Sequence, residues 1–297
     1  MEMLSAVLDR LTRIQPELSP QVRKAAAHVL ENPGQVATLS MRKLAAAAEV
    51  PPPTMARLAK AAGFETYEAF RDVYRRSVQD GGSAYSERAG QLLGRRGQDE
   101  LVGLWADFRR ASLDGIERLF ATIDPGLVAT AADVLLAARR VFVAGMQSSF
   151  SFANYVHYVG YMTHPNWVLL RSSHGVLADH VVDLDAEDVL LAIALKPCAR
   201  DTVRLAQLAR ERNAPVIAVT DSRTSPLAVF ASHLFVVPTR SPQYFDSYVP
   251  TTALLEALLG VVTAKSGPDV IDNIERLEDC RRALGEYWED DPGSRRS

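Results

Sequence analysis

The chain has 297 residues, of which 47% are hydrophobic and 23% charged, and its formal net charge is -3. This length predicts more than one small domain, and the total charge excludes a uniformly basic nucleic-acid binder but not a locally basic one. The two cysteines exclude a disulfide scaffold and indicate a reducing, cytoplasmic compartment. No apolar run approaches the roughly 20 residues of a membrane helix, and the first residues lack a signal-peptide core, so we expect no membrane partner.

Residues 1–80 predict an all-helical domain, because helix-capping residues and apolar residues recur there at helical spacing. Two short helices at 40–48 and 54–62, separated by three prolines, predict a helix-turn-helix. This part of the chain is locally basic, with seven basic and four acidic residues over 38–78. The negative total therefore hides a positive segment.

The second helix of a helix-turn-helix enters the major groove of DNA by its N-terminal end. The spacing predicts that Thr54, Met55, Arg57 and Lys60 face outward there, with Arg57 placed to bind guanine or phosphate. The predicted DNA-contacting residues are Ser40, Arg42, Lys43, Thr54, Met55, Arg57, Lys60 and Tyr67. On spacing alone, a plain helical bundle with solvated basic residues is an equally good interpretation.

Residues 81–98 are rich in Gly, Ser and charge and predict a linker, whose middle at 86–93 can continue as helix. Over residues 99–297, short apolar segments alternate with helical ones, which predicts a doubly wound parallel sheet with helices on both faces. The expected fold class is therefore α followed by α/β. The five predicted strands are 140–144, 167–170, 188–195, 214–220 and 233–237.

The first of these strands, VFVAG, is followed by MQSS and a helix. Open α/β sheets bind ligands at this edge, and the free amides of a helix start favour an anion. We expect a ligand to contact residues from the loops after the first three strands: Gly145, Gln147, Ser148, Ser149, His174, Lys196, Arg200 and Thr202.

Residues 40–71, SMRKLAAAAEVPPPTMARLAKAAGFETYEAFR, resemble the N-terminal domain of RpiR/MurR-type transcriptional regulators. The matching positions are Leu44-Ala45, Val50, Thr54, Arg57, Gly63-Phe64, Tyr67 and Phe70. The departures are Glu49, where Gly is usual, and Pro51 and Pro53, where Ser and a small residue are usual. The segment from IALKPCARDT to HLFVVP resembles the SIS (sugar isomerase) domain of the same regulators, and Gln147 stands where its first loop usually has Gly.

The resemblance implies a cytoplasmic regulator that binds a palindromic DNA operator as a dimer or tetramer. It also implies a small anionic effector, a sugar phosphate or sugar acid, bound in the SIS domain at residues 99–297, with no cofactor. Two serines usually help to hold phosphate in that family, and Ala194 and Ala199 stand at their positions here. Lys196 and Arg200 remain to hold the anion.

The alternative interpretation is an enzyme similar to phosphosugar isomerases, with a helical N-terminal appendage. That reaction needs an acid–base pair, and the sequence fixes none. The histidine spacings fit no zinc motif, and Cys198 has no base placed beside it. We therefore expect no enzymatic activity and no metal site.

Overall fold

The computed structural model describes residues 7–8, 10–11, 13–79, 83–171 and 177–288. Eight α-helices whose bounds are fully described precede the sheet. They are α1 Pro20–Glu31, α2 Pro33–Thr38, α3 Met41–Ala47, α4 Pro52–Ala61, α5 Tyr67–Gln79, α6 Ser83–Leu93, α7 Gln98–Thr122 and α8 Pro125–Ala137.

The remaining elements alternate between strands and helices. They are β1 Val141–Gly145, α9 Phe150–Thr163, β2 Trp167–Leu170, α10 Leu177–Val181, β3 Val189–Ile193, α11 Arg200–Glu211, β4 Val216–Thr220, β5 His233–Val236, α12 Val249–Lys265 and α13 Asp269–Ala283. Between β4 and β5 the chain forms a 3-10 turn at Ala228–Phe230. Helix α12 begins at Val249 and has Pro250 in its first turn.

Capping side chains explain why several helices begin where the sequence predicts. The backbone N–H of Lys43 donates to Ser40 Oγ at 3.3 Å, and the N–H of Ala69 donates to Thr66 Oγ1 at 3.1 Å. Each bond satisfies an amide that the first turn of a helix leaves without an intrahelical partner. Helix α2 was not predicted from the sequence. Pro33 occupies its first turn, where the missing backbone N–H of proline costs no hydrogen bond.

The N-terminal helices share a hydrophobic core of their own, centred on fully buried Leu44, Met55, Leu58 and Phe70. Helices α3 and α4 pack together across a short turn, as the helix-turn-helix prediction expects. In that turn Glu49 has a φ of 50°, a left-handed conformation that Gly adopts most readily. Lys24 Nζ lies 2.6 Å from Glu49 Oε2, so an exposed ion pair accompanies the departure from Gly.

The five strands form one all-parallel sheet in the order β2-β1-β3-β4-β5. Alternate side chains face opposite sides, so Val141 and Val143 join one core while Phe142 and Ala144 join the other. Helices α8, α9 and α12 cover the first side, and α11 covers the second. The predicted doubly wound α/β fold is confirmed.

The described helices include none that is by itself long and apolar enough to cross a membrane. One pair, Gln98–Thr122 and Pro125–Ala137, reaches that length and composition jointly, across a bend of 79°.

Candidate functional site

The sheet reverses its winding between β1 and β3, since the chain runs outward from β1 to β2 and then returns to β3. Ligands of open α/β sheets bind outside the carboxyl ends of the strands at such a point. A cleft of about 660 Å³ lies at this edge. Its lining residues are Met146, Gln147, Phe150, Arg171, Ala199, Arg200 and Asp201.

The turn after β1 brings the chain close to the start of α9. A Cβ atom on Gly145 would lie 2.5 Å from the carbonyl oxygen of Ser149, so a side chain is excluded at this position. Gln147 lines the cleft with a φ of 53°, in the left-handed region. Strained backbone of this kind is concentrated at functional sites. The structure therefore keeps the turn that the sequence predicts, with strain at the residue that replaces Gly.

The strain at Gln147 predicts a difference between two substitutions that remove the same side chain. We expect Gln147→Gly to unfold at higher denaturant concentration than Gln147→Ala, by about 0.5–1 kcal/mol, because only Gly adopts a left-handed φ without steric cost. Urea titrations of the two variants, followed by circular dichroism, measure the difference. Equal midpoints would show that the turn relaxes when the side chain is removed.

The start of α11 forms the opposite wall of the cleft. Ala199 is its N-cap residue and supplies no capping hydrogen bond, so side-chain oxygens do not occupy the first amides of the helix from that position. Free amides at a helix start attract anions. Arg200 is exposed at the first position of the helix and lines the cleft. The predicted residues Gln147 and Arg200 are thus brought together.

Arg171 is a cleft residue that the sequence analysis missed. It follows β2 directly, it is exposed, and it lines the same cleft as Arg200. The signal was available, since the carboxyl end of every strand in a parallel sheet reaches this edge. Two guanidinium groups therefore border the cleft, each with a planar set of donors suited to carboxylate or phosphate.

The other predicted ligand residues that the structure describes do not line the cleft. Ser148 is exposed and its carbonyl accepts a bond from Ser151, whereas Ser149 is only 4% exposed. Thr202 is completely buried, so the prediction that its hydroxyl contacts a ligand is not supported by its position. His174 lies outside the described residues.

Lys196 is half-buried in the loop after β3, where its charge acts on Asp221 and Cys198. Burial is the main cause that raises the pKa of the Asp221 carboxyl, and the charge of Lys196 opposes it. Burial also raises the pKa of the Cys198 thiol to about 11, and its sulfur lies 3.2 Å from Ser225 Oγ. A thiol held in the protonated form is a poor nucleophile.

The N-terminal domain presents four exposed basic side chains from α3 and α4: Arg42, Lys43, Arg57 and Lys60. Among the described residues, none of the four forms an ion pair. Arg71 differs from them, because its guanidinium donates to the carbonyls of Val36 at 3.2 Å and Leu39 at 2.7 Å. Arg71 thus holds the end of α2 and leaves the basic surface to the other four.

Three of the predicted DNA-contacting residues need correction. Thr54 is 4% exposed and Met55 is fully buried, so the prediction that they face outward is wrong. Helix α4 starts at Pro52, and this start places both residues on the side that packs against the other helices. Tyr67 is 7% exposed and its ring lies 6.2 Å from that of Phe70, which makes it a core residue. Ser40 is exposed, and its hydroxyl is engaged as the cap of α3.

Comparison with known proteins gives matches to both halves of the chain. Residues 134–260 match the SIS domain family. The HTH-type transcriptional regulator HexR of Pseudomonas aeruginosa is 26% identical over 281 residues, covering 92% of this chain and 94% of the relative.

Two solved structures have the same fold. The sugar isomerase domain of an RpiR transcription factor from Sphaerobacter thermophilus has a TM-score of 0.56 at 22% identity, covering 59% of this chain and 98% of that one. The NanR protein of Vibrio vulnificus, solved in complex with ManNAc-6P, has a TM-score of 0.53 at 19% identity, covering 94% and 98%. At 22% and 19% sequence identity, the similarity to these two structures shows a shared fold and nothing about function.

The parallel sheet, the cleft at its switch point and the match over 134–260 define a protein with a SIS domain. The N-terminal region is helical, and the similarity to HexR extends along nearly the whole chain. These similarities support the resemblance to RpiR-type regulators, and the match to the SIS domain lies in the C-terminal part of the chain.

Proposed function

We propose that this chain binds operator DNA through α3 and α4, and that a small anionic sugar derivative bound in the cleft modulates this binding. The observation that carries the proposal is the pairing of two surfaces in one chain. Four exposed basic side chains lie on the helix-turn-helix, and two arginines border the cleft of the SIS domain.

The DNA-binding part of the proposal rests on Arg42, Lys43, Arg57 and Lys60, with Ser40 at the start of α3. These exposed basic side chains have no acidic partner among the described residues. They can therefore neutralise DNA phosphates without first breaking an ion pair. Arg57 lies in the middle of α4, where an arginine forks onto guanine or phosphate. Thr54, Met55 and Tyr67 are withdrawn from the proposed contact set because they are buried.

The effector part of the proposal assigns the anion to the space between Arg171 and Arg200. Amides at the start of α11 add partial positive charge there. Ala199 lines this cleft without a hydroxyl, and Ala194 is 1% exposed, so neither alanine contributes a hydrogen bond to a phosphate. We propose that charge and backbone amides hold the anionic group, with Gln147 contacting the rest of the molecule.

A thermal-shift screen of sugar phosphates and sugar acids tests the effector site. A compound at 100 times its dissociation constant stabilises the folded state by about 2.7 kcal/mol, which raises the melting temperature. We expect Arg200→Ala and Arg171→Ala to lose this shift. Arg210→Ala is the matched control, since Arg210 is exposed near the opposite end of α11.

The outcomes of the screen separate the alternatives. If both cleft variants keep the shift of the wild type, the anion binds elsewhere and the assignment is wrong. If ordinary phosphosugars bind as tightly as sugar acids, the absence of hydroxyls at Ala194 and Ala199 does not select against phosphate. A compound that is consumed during the measurement would instead favour the isomerase interpretation, which the regulator relatives do not support.

We further propose that the regulator acts in the cytoplasm, as a dimer or tetramer of this chain. Exposed apolar side chains of α7 support self-association, among them Leu101 at 53%, Val102 at 66% and Trp105 at 77%. A two-fold dimer would bind operator half-sites separated by a multiple of one DNA turn. The boundaries 1–80, 81–98 and 99–297 remain part of this proposal.

A further inference from the structure

Helix α6 contacts the loops beside the candidate cleft through two side chains. Tyr85 Oη donates to the carbonyl oxygen of Lys196 at 3.0 Å. Arg88 Nη1 lies 3.0 Å from Asp246 Oδ1, and Arg88 Nη2 donates to the carbonyls of Gln243 at 3.1 Å and Phe245 at 3.3 Å. The segment that the composition predicts as a linker is thus attached to the SIS domain.

Apolar packing accompanies these polar contacts. The ring of Tyr85 lies 5.1 Å from that of Phe245 and 6.5 Å from that of Tyr244. The Arg88 side chain is 30% exposed and that of Asp246 is 16% exposed, so this ion pair is better shielded from water than an ordinary surface pair. Tyr244, Phe245 and Asp246 therefore form the surface that α6 contacts.

The loop held by Tyr85 leads directly to the proposed effector site. Lys196 precedes Arg200, the first residue of α11, by four positions. The charges of Lys196 and of Asp246, the partner of Arg88, both act on the Asp221 carboxyl at the end of β4, where the first lowers and the second raises its pKa. The bond from Tyr85 to the Lys196 carbonyl and the bonds from Arg88 to residues 243–246 thus join loops at the carboxyl edge of the sheet to α6.

The same N-terminal half of α6 is close in sequence to the helix-turn-helix region. Helix α5 ends at Gln79 and α6 begins at Ser83, so three residues connect them. Helix α2 also lies beside the 3-10 turn Ala228–Phe230 of the SIS domain. A shift of α6 therefore changes where the N-terminal helices can sit.

We propose that Tyr85 and Arg88 are positioning residues that connect the loop at 196–200 to the DNA-binding helices, so that occupancy of the cleft is transmitted through α6. The inference rests on the proposed function, because it names the route by which effector and DNA influence one another. Such an influence requires an element whose arrangement both sites bias. Helix α6 meets this requirement, since its two anchors hold the effector loop and its N-terminal end leads to α5.

The experiment compares full-length wild type with Tyr85→Phe, Arg88→Ala and the control Arg96→Ala. Arg96 is exposed just after α6, and within the described part of the chain its side chain bonds only to the nearby carbonyl of Leu93. DNA binding is measured on a fragment from upstream of the protein's own gene, with and without glucose 6-phosphate, 6-phosphogluconate or gluconate. We expect any effect of a compound on DNA affinity to fall at least fivefold in Tyr85→Phe and Arg88→Ala, and to remain in Arg96→Ala.

A second readout, hydrogen exchange, does not depend on DNA or effector. Arg88→Ala should speed the exchange of backbone amides in 194–200 and 243–248 several-fold, and Arg96→Ala should leave it unchanged. If hydrogen exchange in Arg88→Ala is unchanged, the proposed connection through α6 is wrong, whatever the DNA measurements show. If the wild type neither binds DNA nor responds to the compounds, the proposed function is wrong, and this outcome is separate from the exchange result.

Two further outcomes also overturn the connection. A full wild-type response in both Tyr85→Phe and Arg88→Ala shows that α6 does not carry it. Loss of the thermal shift by the active compound in both variants shows that the two residues build the site and do not connect it to the helices. Tyr85→Phe removes one hydroxyl and keeps the ring on Phe245, so it tests the connection with little risk to folding.

Discussion

Arg57→Ala is expected to weaken binding to operator DNA about tenfold or more. The side chain is exposed on α4, and a base-reading arginine contributes about 1–3 kcal/mol of binding free energy. Retardation or anisotropy measurements at several salt concentrations distinguish its two possible roles. If Arg57 binds phosphate, the salt dependence of the affinity should decrease by the equivalent of about one contact; if it binds guanine, discrimination between operator and unrelated DNA should decrease.

The matched control for Arg57 is Arg276→Ala, which removes an exposed arginine from α13 in the C-terminal part of the chain. The control should bind DNA like the wild type, because it changes the net charge equally but lies outside the proposed surface. Equal losses in the two variants would mean that only total charge matters. No loss in either, or no DNA binding by the wild type at low salt, would remove the basis for an operator-reading α4.

The sequence predicted the C-terminal fold well because local signals and tertiary structure agree there. The apolar runs of β1, β3 and β4 are buried along their whole length, as a sheet covered on both faces requires. Asp124 opens α8 by accepting the N–H of Gly126 at 2.9 Å, a bond between neighbours that sequence spacing encodes. The apolar runs and the capping residue that predict these elements are patterns of residues adjacent in the chain.

Predictions about individual side chains failed where the orientation of a helix decided the result. The sequence predicts that α4 starts at Thr54, whereas it starts at Pro52. The sequence pattern does not show which side of this helix faces the core, and only the packed structure shows that Met55 does. The contacts of Arg88 with residues 243–246 join positions more than 150 apart in sequence. Such contacts follow from the three-dimensional arrangement and leave no local pattern to read.

Asp188 is the centre of a charged cluster at the start of the sheet, on the opposite edge from the cleft. Its side chain is fully buried, and Arg139 Nη2 and Arg140 Nη2 lie 2.7 and 2.9 Å from its Oδ2. The backbone N–H of Asp185 also donates to this carboxylate at 3.1 Å. Burial by itself would raise the pKa of Asp188, but hydrogen bonds from Arg139 and Arg140 outweigh it and hold the pKa well below its ordinary value.

Asp188→Asn is therefore expected to lower the free energy of unfolding of the SIS domain by about 3 kcal/mol, the lower end for breaking a buried ion pair. The lower end applies because the two arginines keep contact with water, at 43% and 31% exposure of their side chains. Asp185→Asn is the matched control. Asp185 pairs with the same Arg139 at 2.8 Å but is half exposed, so its loss should be much smaller.

The advantage of the wild type over Asp188→Asn should also depend on pH in one direction. The native pKa of Asp188 lies below its unfolded value of about 4, so the stabilisation is complete above that pH and is lost as the pH falls further. The loss cannot exceed about 1.4 kcal/mol per pH unit for a single carboxyl group. Urea unfolding of both proteins between neutral and acidic pH, followed by the fluorescence of buried Trp167, gives the comparison. A difference that stays constant down through this range would show that packing at position 188, and not the charge that Arg139 and Arg140 hold, supports this end of the sheet.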